Sequence, residues 1–451
     1  VFVFCKKIVK IMIIKKFGGT SVGSVERIKA LKNLIHDEVP KIVVLSAMSG
    51  TTNALVEIGK AFYALQDQHG LDLVLALEKK YKQVIQELYT TEIASQKAQR
   101  VVNQWFSYLK SLAGNIFTNL QERAVLAIGE ILSTHLVQYY FEEIGLKTVL
   151  LDALNFMKLN KDDEPDLDFI SKNLQELLAQ YPDNQLFITQ GYICRNANGE
   201  TSNLQRGGSD YTASLLGAAI QATEIQIWTD IDGMHNNDPR FVDKTYPIHE
   251  LSFDEAAELA YFGAKILHPS TILPAKIKNI PVSILNTMAP TMKGTLITAN
   301  PSLQNYEVKA VAAKDGIVAI KLKSSRMLLA YGFLKKVFEI FEKYKTPIDM
   351  ITTSEVAISL TIDNPQFLDA ISKELKEFCS IEIEHFQTII CVVGNFASDK
   401  AGIANKVLTS LANIPIRMIS YGGSEHNISV LVESSRKAEV LQALNKGVFG
   451  L

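Results

Sequence analysis

The sequence predicts an α/β protein: a mainly parallel sheet with helices on both faces, followed by a smaller region built twice from one helix–strand unit. Short β-branched runs at 11–14, 42–45, 148–151, 186–188, 225–229 and 282–285 alternate with helical patterns. Parallel strands need long crossovers, and both faces of such a sheet must then be covered. The second observation is a weak internal repeat. Gly332-Phe-Leu-Lys-Lys-Val-Phe, Pro347-Ile-Asp-Met-Ile and Ser354-Glu-Val-Ala-Ile-Ser are matched in order by Gly402-Ile-Ala-Asn-Lys-Val-Leu, Pro415-Ile-Arg-Met-Ile and Ser424-Glu-His-Asn-Ile-Ser. In each copy a glycine opens an amphipathic helix, a proline leads into a strand, and a second strand follows the Ser-Glu pair. The third is length: 451 residues, at about 150 per domain, hold two or three domains.

Taken in order, Lys10 to Lys15 reads as a buried first strand, and the helical pattern Val25, Ile28, Leu31, Leu34, Ile35 follows it. Between the second and third strands, residues 53–145 are mostly helical and form a predicted insertion beside the sheet. Asp162-Asp-Glu-Pro-Asp reads as a charged surface loop, and Asn300-Pro-Ser ends the first domain near residue 300. Ser252 and Glu255 make a capping box at a helix start. His268, directly before Pro269, reads as a structural turn residue.

Composition excludes several classes. With 46 Lys+Arg against 48 Asp+Glu and a formal charge of −2, no partner follows from net charge, and neither a basic stripe nor a block of like charges is present; nucleic acid is not an expected partner. No apolar run reaches the roughly 20 residues of a membrane-spanning helix. Lys6, Lys7 and Lys10 interrupt the apolar start and no small-residue cleavage site follows, so a signal peptide is not expected. Cys5, Cys194, Cys379 and Cys391 lack metal-ligand spacing, which suits a reducing cytoplasm, and no metal ligand set is expected.

Three segments look chemical. Lys16-Phe-Gly18-Gly19-Thr-Ser lies where a strand ends and a helix begins. Paired glycines let backbone approach a ligand, the helix N-terminus offers N–H groups to phosphate oxygens, and Lys16 meets their charge. It matches neither a Walker A loop nor Gly-x-Gly-x-x-Gly, and a turn needed only for geometry is its structural alternative. Arg206-Gly-Gly-Ser209-Asp210-Tyr-Thr repeats the pattern before a small-residue helix; capping explains Ser209 and Asp210 but not Arg206 and the glycines. Trp228-Thr229-Asp230-Ile-Asp-Gly, running on to Asp238-Pro-Arg240, stands at the carboxyl end of another strand, where ligands of open α/β sheets collect. Lys265, near a glycine- and proline-marked helix end, adds a cation. Together these suggest nucleotide phosphates meeting a small charged acceptor, chemistry that needs positioning and charge neutralisation.

Five motifs carry a family resemblance: Lys16-Phe-Gly-Gly-Thr-Ser-Val, Leu45-Ser-Ala-Met-Ser-Gly-Thr-Thr-Asn, Arg206-Gly-Gly-Ser-Asp-Tyr-Thr-Ala, Trp228-Thr-Asp-Ile-Asp-Gly and Phe262-Gly-Ala-Lys-Ile-Leu-His-Pro. In this order they resemble the aspartate kinases of the monofunctional, lysine-sensitive type, over nearly the whole chain. The resemblance implies an amino-acid-kinase three-layer αβα sandwich over residues 10–300. Two ferredoxin-like βαββαβ ACT modules would fill 301–451, the first about 324–394 and the second about 395–451 with a strand from about 308–323. It implies ATP and Mg2+ as cofactors and L-aspartate as acceptor. Lys16 and Asp210 would be catalytic; Ser46, Thr52, Glu130, Arg206 and Ser209 would bind aspartate; Gly18, Gly19, Thr229, Asp230, His235, Arg240 and Lys265 would bind ATP. Met327, Phe333, Leu334, Ile348 and Asp349 resemble the effector segment, implying lysine as inhibitor, and the modules imply a homodimer or dimer of dimers. Gln205, His235 and Ala330-Tyr331 depart from the family pattern. The alternatives are a kinase for glutamate or acetylglutamate and a non-catalytic amino-acid sensor.

Overall fold

The computed structural model describes residues 11–204, 207–263, 267–302, 307–324, 331–396 and 401–451. The chain divides into two compact units, Val1–Gly233 with Leu267–Pro301, and Met234–Ile266 with Ser302–Leu451. In chain order the elements are β1 (Ile13–Phe17), α1 (Val25–Ile35), β2 (Lys41–Leu45), α2 (Thr51–Tyr63), α3 (Asp67–Leu88), α4 (Glu92–Ser111), α5 (Asn119–Glu143), β3 (Val149–Leu151), α6 (Leu167–Ala179), β4 (Leu186–Gln190), β5 (Ile193–Arg195), β6 (Thr201–Asn203), α7 (Gly208–Ile220) and β7 (Glu224–Thr229). Then β8 (Glu250–Ser252) and α8 (Phe253–Tyr261) fall in the second unit, and α9 (Pro269–Lys278), β9 (Val282–Asn286) and β10 (Thr295–Thr298) return to the first.

In the first unit the strands run β3-β4-β2-β1-β7-β9-β10. All neighbours are parallel except β10, which runs antiparallel to β9. Strand alternation decides what β1 presents to each face. Phe17 joins a core cluster with Val43 and Leu45 of β2 and with α1 to α5, and Lys15 reaches the Leu34 carbonyl at 2.8 Å. Ile14 and Lys16 face the other way, toward α7, where a Cβ added to Gly217 would stand 2.5 Å from Ile225 and 3.8 Å from Ile14. The inserted helices α2 to α5 therefore share one apolar cluster with the sheet, giving three layers.

β1 runs Ile13–Phe17, so it starts three residues after the expected Lys10 and continues past Lys15 through Lys16 to Phe17. Lys15 is tolerated in a buried strand because its ammonium pairs with Asp37 at 2.9 Å as well as with Leu34. The capping box at Ser252 and Glu255 is present. His268 caps α9, its side chain accepting from the Ser270 amide.

The second unit adds β11 (Val308–Lys323), α10 (Phe333–Lys343), β12 (Ile351–Thr353), β13 (Ala357–Ile362), α11 (Leu368–Leu375), β14 (Ser380–Gly394), α12 (Ile403–Ser410), β15 (Met418–Tyr421), β16 (Asn427–Glu433) and α13 (Lys437–Leu444). Its six antiparallel strands run β12-β13-β11-β14-β16-β15. The long strands β11 and β14 serve two cores. Val318, Ile320 and Leu322 pack with α10, α11 and β13, whereas Val308, Val311, Ile390 and Val392 pack with α12, α13 and β16. The repeat is thus physical: Gly332 and Gly402 each cap a helix with φ of +86° and +94°, a left-handed conformation that favours glycine. Cys194, Cys379 and Cys391 are free. Among the described residues no helix is long and apolar enough to cross a membrane.

Candidate active site

A cavity of about 600 Å³ opens at the carboxyl ends of β1, β2, β4 and β7, lined by Gly19, Ser46, Thr52, Glu130, Tyr192, Ser209, Thr229 and Asp230 among others. Its floor is set by close backbone approach. A Cβ on Gly19 would stand 2.9 Å from the Ala47 carbonyl, and one on Gly191 would stand 2.4 Å from Ser209. Ser46 is fixed by its amide, which donates to Phe17 O at 3.2 Å, and by its carbonyl, which accepts from Ser133 Oγ at 2.7 Å.

Lys16 projects from β1 onto the α7 face and pairs with Asp210 in the first turn of α7, Nζ to Oδ1 2.6 Å. The pair is mostly buried, with side-chain exposures of 11% and 17%. Gly207 caps α7 with φ +73°, and a Cβ there would stand 2.2 Å from Thr271 Cγ2 of α9, so the start of α7 is packed against the start of α9. Ser209, 9% exposed, faces the cavity one residue before the ion pair.

Glu130 comes from α5, the opposite layer, and is 4% exposed. Burial pushes its carboxyl up to about 7, against the smaller lowering pull of the Ala47 amide, its own amide and the Lys16 charge. Its Oε2 is buried with no hydrogen-bond partner. A buried acceptor left open at the edge of a polar cavity is a place for a ligand's donor.

The sequence-predicted residues separate into groups. Gly19, Ser46, Thr52, Glu130, Ser209, Thr229 and Asp230 line one cavity, and Lys16 and Asp210 form an ion pair whose aspartate directly follows Ser209. The Gly18 amide donates to Trp228 O at 3.3 Å and joins β1 to β7. Arg206, Lys265 and Met327 lie outside the described residues. His235 and Arg240 belong to the second unit. His235 Nδ1 lies 2.8 Å from Thr245 Oγ1, and Arg240 pairs with Asp238 at 2.6 Å while 78% exposed. In the effector segment, Phe333 is buried in the first-module core and Ile348 packs against it, Leu334 is 41% exposed, and the Asp349 side chain is 1% exposed.

Tyr192 is the residue that motif reasoning missed. It lines the cavity with φ +69°, and its ring covers Gly208, where a Cβ would stand 2.4 Å from Cδ2. Its amide donates to Thr212 Oγ1 at 2.9 Å, which helps to hold that conformation. The adjacent Gly191 was the available hint of a crowded turn.

The three-layer sheet and this crevice define the class of protein. The chain belongs to the amino acid kinase family, whose profile matches residues 12–286, with an ACT domain matched over 390–448. More particularly, its similarity is to aspartokinases. It is 33% identical to lysine-sensitive aspartokinase 3 of Escherichia coli K12, covering 97% of this chain and 99% of that protein. The crystal structure of E. coli aspartokinase III with aspartate and ADP superposes with a TM-score of 0.84 at 31% identity, covering 97% of this chain and 100% of that one. The complex with lysine and aspartate gives 0.79 at 32%, covering 97% and 99%.

Proposed function

We propose that the protein transfers the terminal phosphoryl group of ATP to the side-chain carboxylate of L-aspartate, giving 4-phospho-L-aspartate and ADP, with a catalytic domain over 10–300 and a regulatory region over 301–451. The observation that carries this reading is the shared location of the Lys16–Asp210 pair, Ser209 and the buried, open-ended Glu130. The aspartate-and-ADP complex of the E. coli relative supports it.

The nucleophile is a carboxylate already ionised near neutral pH, so no strong general base is required. The obstacle is repulsion between two anions, about 4 kcal/mol for unit charges 4 Å apart at an effective dielectric near 20. Lys16 offsets it at the transferring phosphoryl group and Asp210 holds that ammonium in place. Glu130 receives the substrate ammonium on Oε2, and Ser209, Ser46 and Thr52 contact the substrate. By resemblance Arg206 holds the α-carboxylate. Thr229 and Asp230 face the nucleotide from the end of β7, with His235, Arg240 and Lys265 assigned to ATP by resemblance.

Among the described residues no group of three or more His, Cys, Asp or Glu is placed to hold a metal. The donor set suits a cation that arrives on phosphate oxygens, with Asp210 the residue that would hold Mg2+. Bound there, Mg2+ supplies charge neutralisation of the phosphate oxygens. Lysine is the proposed inhibitor, acting at Asp349 of the first module, and the lysine complex of the E. coli relative supports that choice. Association of copies through the ACT modules is proposed with it; the exposed apolar residues Ile351 of β12 and Ile419 and Tyr421 of β15 lie on the edge strands. An ADP-release assay with aspartate, glutamate or acetylglutamate as acceptor, with and without lysine, tests both parts; turnover with another acceptor alone would reject the first.

A further inference from the structure

We propose that Ser133 is a positioning residue for the acceptor: its hydroxyl turns the peptide group between Ser46 and Ala47 so that this peptide holds one oxygen of Glu130 and leaves the other for the substrate ammonium. This rests on the reading that Glu130 receives that ammonium.

Within one turn of α5, three polar residues sit where a stripe of core residues would run. Glu130, Ser133 and Thr134 are 4%, 0% and 0% exposed, and side chains three and four apart share one face of a helix. A buried polar group must find a partner or be costly. Thr134 donates to Glu130 O at 2.8 Å, the bond back along the helix that threonine commonly makes, which needs no further purpose. Ser133 is different. Its hydroxyl has one proton to give, and although Glu130 O lies 3.2 Å away, the shorter bond, at 2.7 Å, leaves the helix for the Ser46 carbonyl.

The Ser46 carbonyl and the Ala47 amide are the two ends of one planar peptide group. Both ends are held by α5, the carbonyl by Ser133 and the amide by the Glu130 carboxylate. Because Glu130 Oε2 has no partner, the amide bond falls to Oε1. Turning this peptide would break both bonds at once. A carbonyl that accepts a hydrogen bond also polarises its own amide into a better donor, so the Ser133 hydroxyl strengthens the hold on Oε1 as well as aiming it.

Gly129 makes the close approach possible, since a Cβ there would stand 2.7 Å from Ala47 Cβ and 3.3 Å from Thr51 Cγ2. The next carbonyl, that of Ala47, lies against the phosphate turn, where a Cβ on Gly19 would meet it at 2.9 Å. The clamped peptide therefore stands between the ammonium end and the phosphate end of the pocket. The other titratable groups that act on Glu130 are Lys16 of β1, Tyr81 of α3 and Tyr192, and Ser133→Ala leaves all three in place. Losing the hydroxyl weakens the amide's hold on the ionised carboxylate, which favours the protonated form.

The full-length protein is assayed in a double-mutant cycle of Ser133→Ala and Glu130→Gln, measuring kcat, KM for aspartate, KM for ATP and the pH dependence of kcat/KM. Ser133→Ala alone should lower kcat/KM for aspartate by about tenfold, mostly through KM, with KM for ATP within about twofold. Its acidic limb should move to higher pH. In the Glu130→Gln background the same change should cost less than about twofold, because the group that Ser133 positions no longer receives the ammonium. Ser133→Cys, close in size but a weaker donor, should fall between wild type and Ser133→Ala, and it carries the cycle if the alanine variant does not fold. An equal loss in both backgrounds makes Ser133 a support of the fold alone and overturns the proposal. So does an unchanged kcat/KM with the limb in place. If Glu130→Gln leaves kcat/KM for aspartate at the wild-type level, the ammonium reading fails and the proposal falls with it.

Discussion

Glu130 in the catalytic unit and Asp349 in the regulatory unit pose the same physical problem and meet it differently. Each is a buried carboxylate with one oxygen lacking a partner, and burial raises the proton affinity of each. Asp349 already has Lys314 at 2.7 Å and Tyr261 at 2.6 Å. Glu130 has the Ala47 amide and a lysine, Lys16, whose ammonium is committed to Asp210 at 2.6 Å. A carboxylate without its own cation is costly to bury, so Glu130 gains most from a ligand ammonium. Asp349, partly neutralised from within, gains less. On the proposed assignments, the site at Glu130 is organised to need its substrate, and the site at Asp349 to be biased by a ligand.

The largest effect that would break this contrast is at the ion pair. Lys16→Ala or Asp210→Ala should lower kcat by about a thousandfold or more, as loss of a positioned transition-state charge does, with the melting curve and circular dichroism little changed. Near-normal turnover in either variant removes the assignment.

Glu130→Gln should lower kcat/KM for aspartate by about a hundredfold, the size expected for losing a buried charge-assisted contact, with KM for ATP nearly unchanged. The same substitution should stabilise the ligand-free protein. Between about 4.5 and 7 the folded chain holds a proton on Glu130 that the unfolded chain releases, so the burden grows as pH rises through that window. It is complete above about pH 7, at roughly 3 kcal/mol. Chemical denaturation should therefore show Glu130→Gln more stable than wild type at pH 8 and equal to it at pH 4.5; a deficit at pH 8 contradicts the account.

A smaller effect follows from the same group in the active enzyme. Substrate ammonium needs Glu130 ionised, so kcat/KM for aspartate should fall by about tenfold between pH 8 and pH 6 as the carboxyl is protonated. In Glu130→Gln that limb should flatten. Lys314→Met, which removes the internal cation from Asp349, sharpens the contrast from the other side. Lysine should then bind about threefold to tenfold more tightly, the ligand replacing a lost charge partner, and weaker binding would show Lys314 to be part of the ligand site.

What the sequence made legible was local. Strand ends beside glycine pairs placed Lys16, Ser209, Asp210 and Thr229 near one crevice, because parallel strands bring their carboxyl ends together. The repeat exposed both modules because its two glycines cap equivalent helices. Lys15 and Lys16 blurred the first strand, since hydropathy does not register that Asp37 and Asp210 pair with them from 22 and 194 residues away. Beyond the neighbouring Gly191, Tyr192 carried no signal of its own, because left-handed backbone at a non-glycine residue is set by its surroundings, here Gly208 and Thr212. Tyr261, Lys314 and Asp349 were unreadable as a group because only the folded chain brings residues so far apart to one carboxylate oxygen.

The central claim is that Lys16, Asp210 and Glu130 serve one aspartate-phosphorylating pocket. Acyl phosphate trapped as hydroxamate, measured with ADP release in the purified full-length protein given ATP, Mg2+ and single acceptors, tests it most directly. The account predicts equimolar hydroxamate and ADP with aspartate, none above background with glutamate or acetylglutamate, and loss of both products in Lys16→Ala. ADP release that does not depend on aspartate, or hydroxamate formation that survives Lys16→Ala, would contradict it.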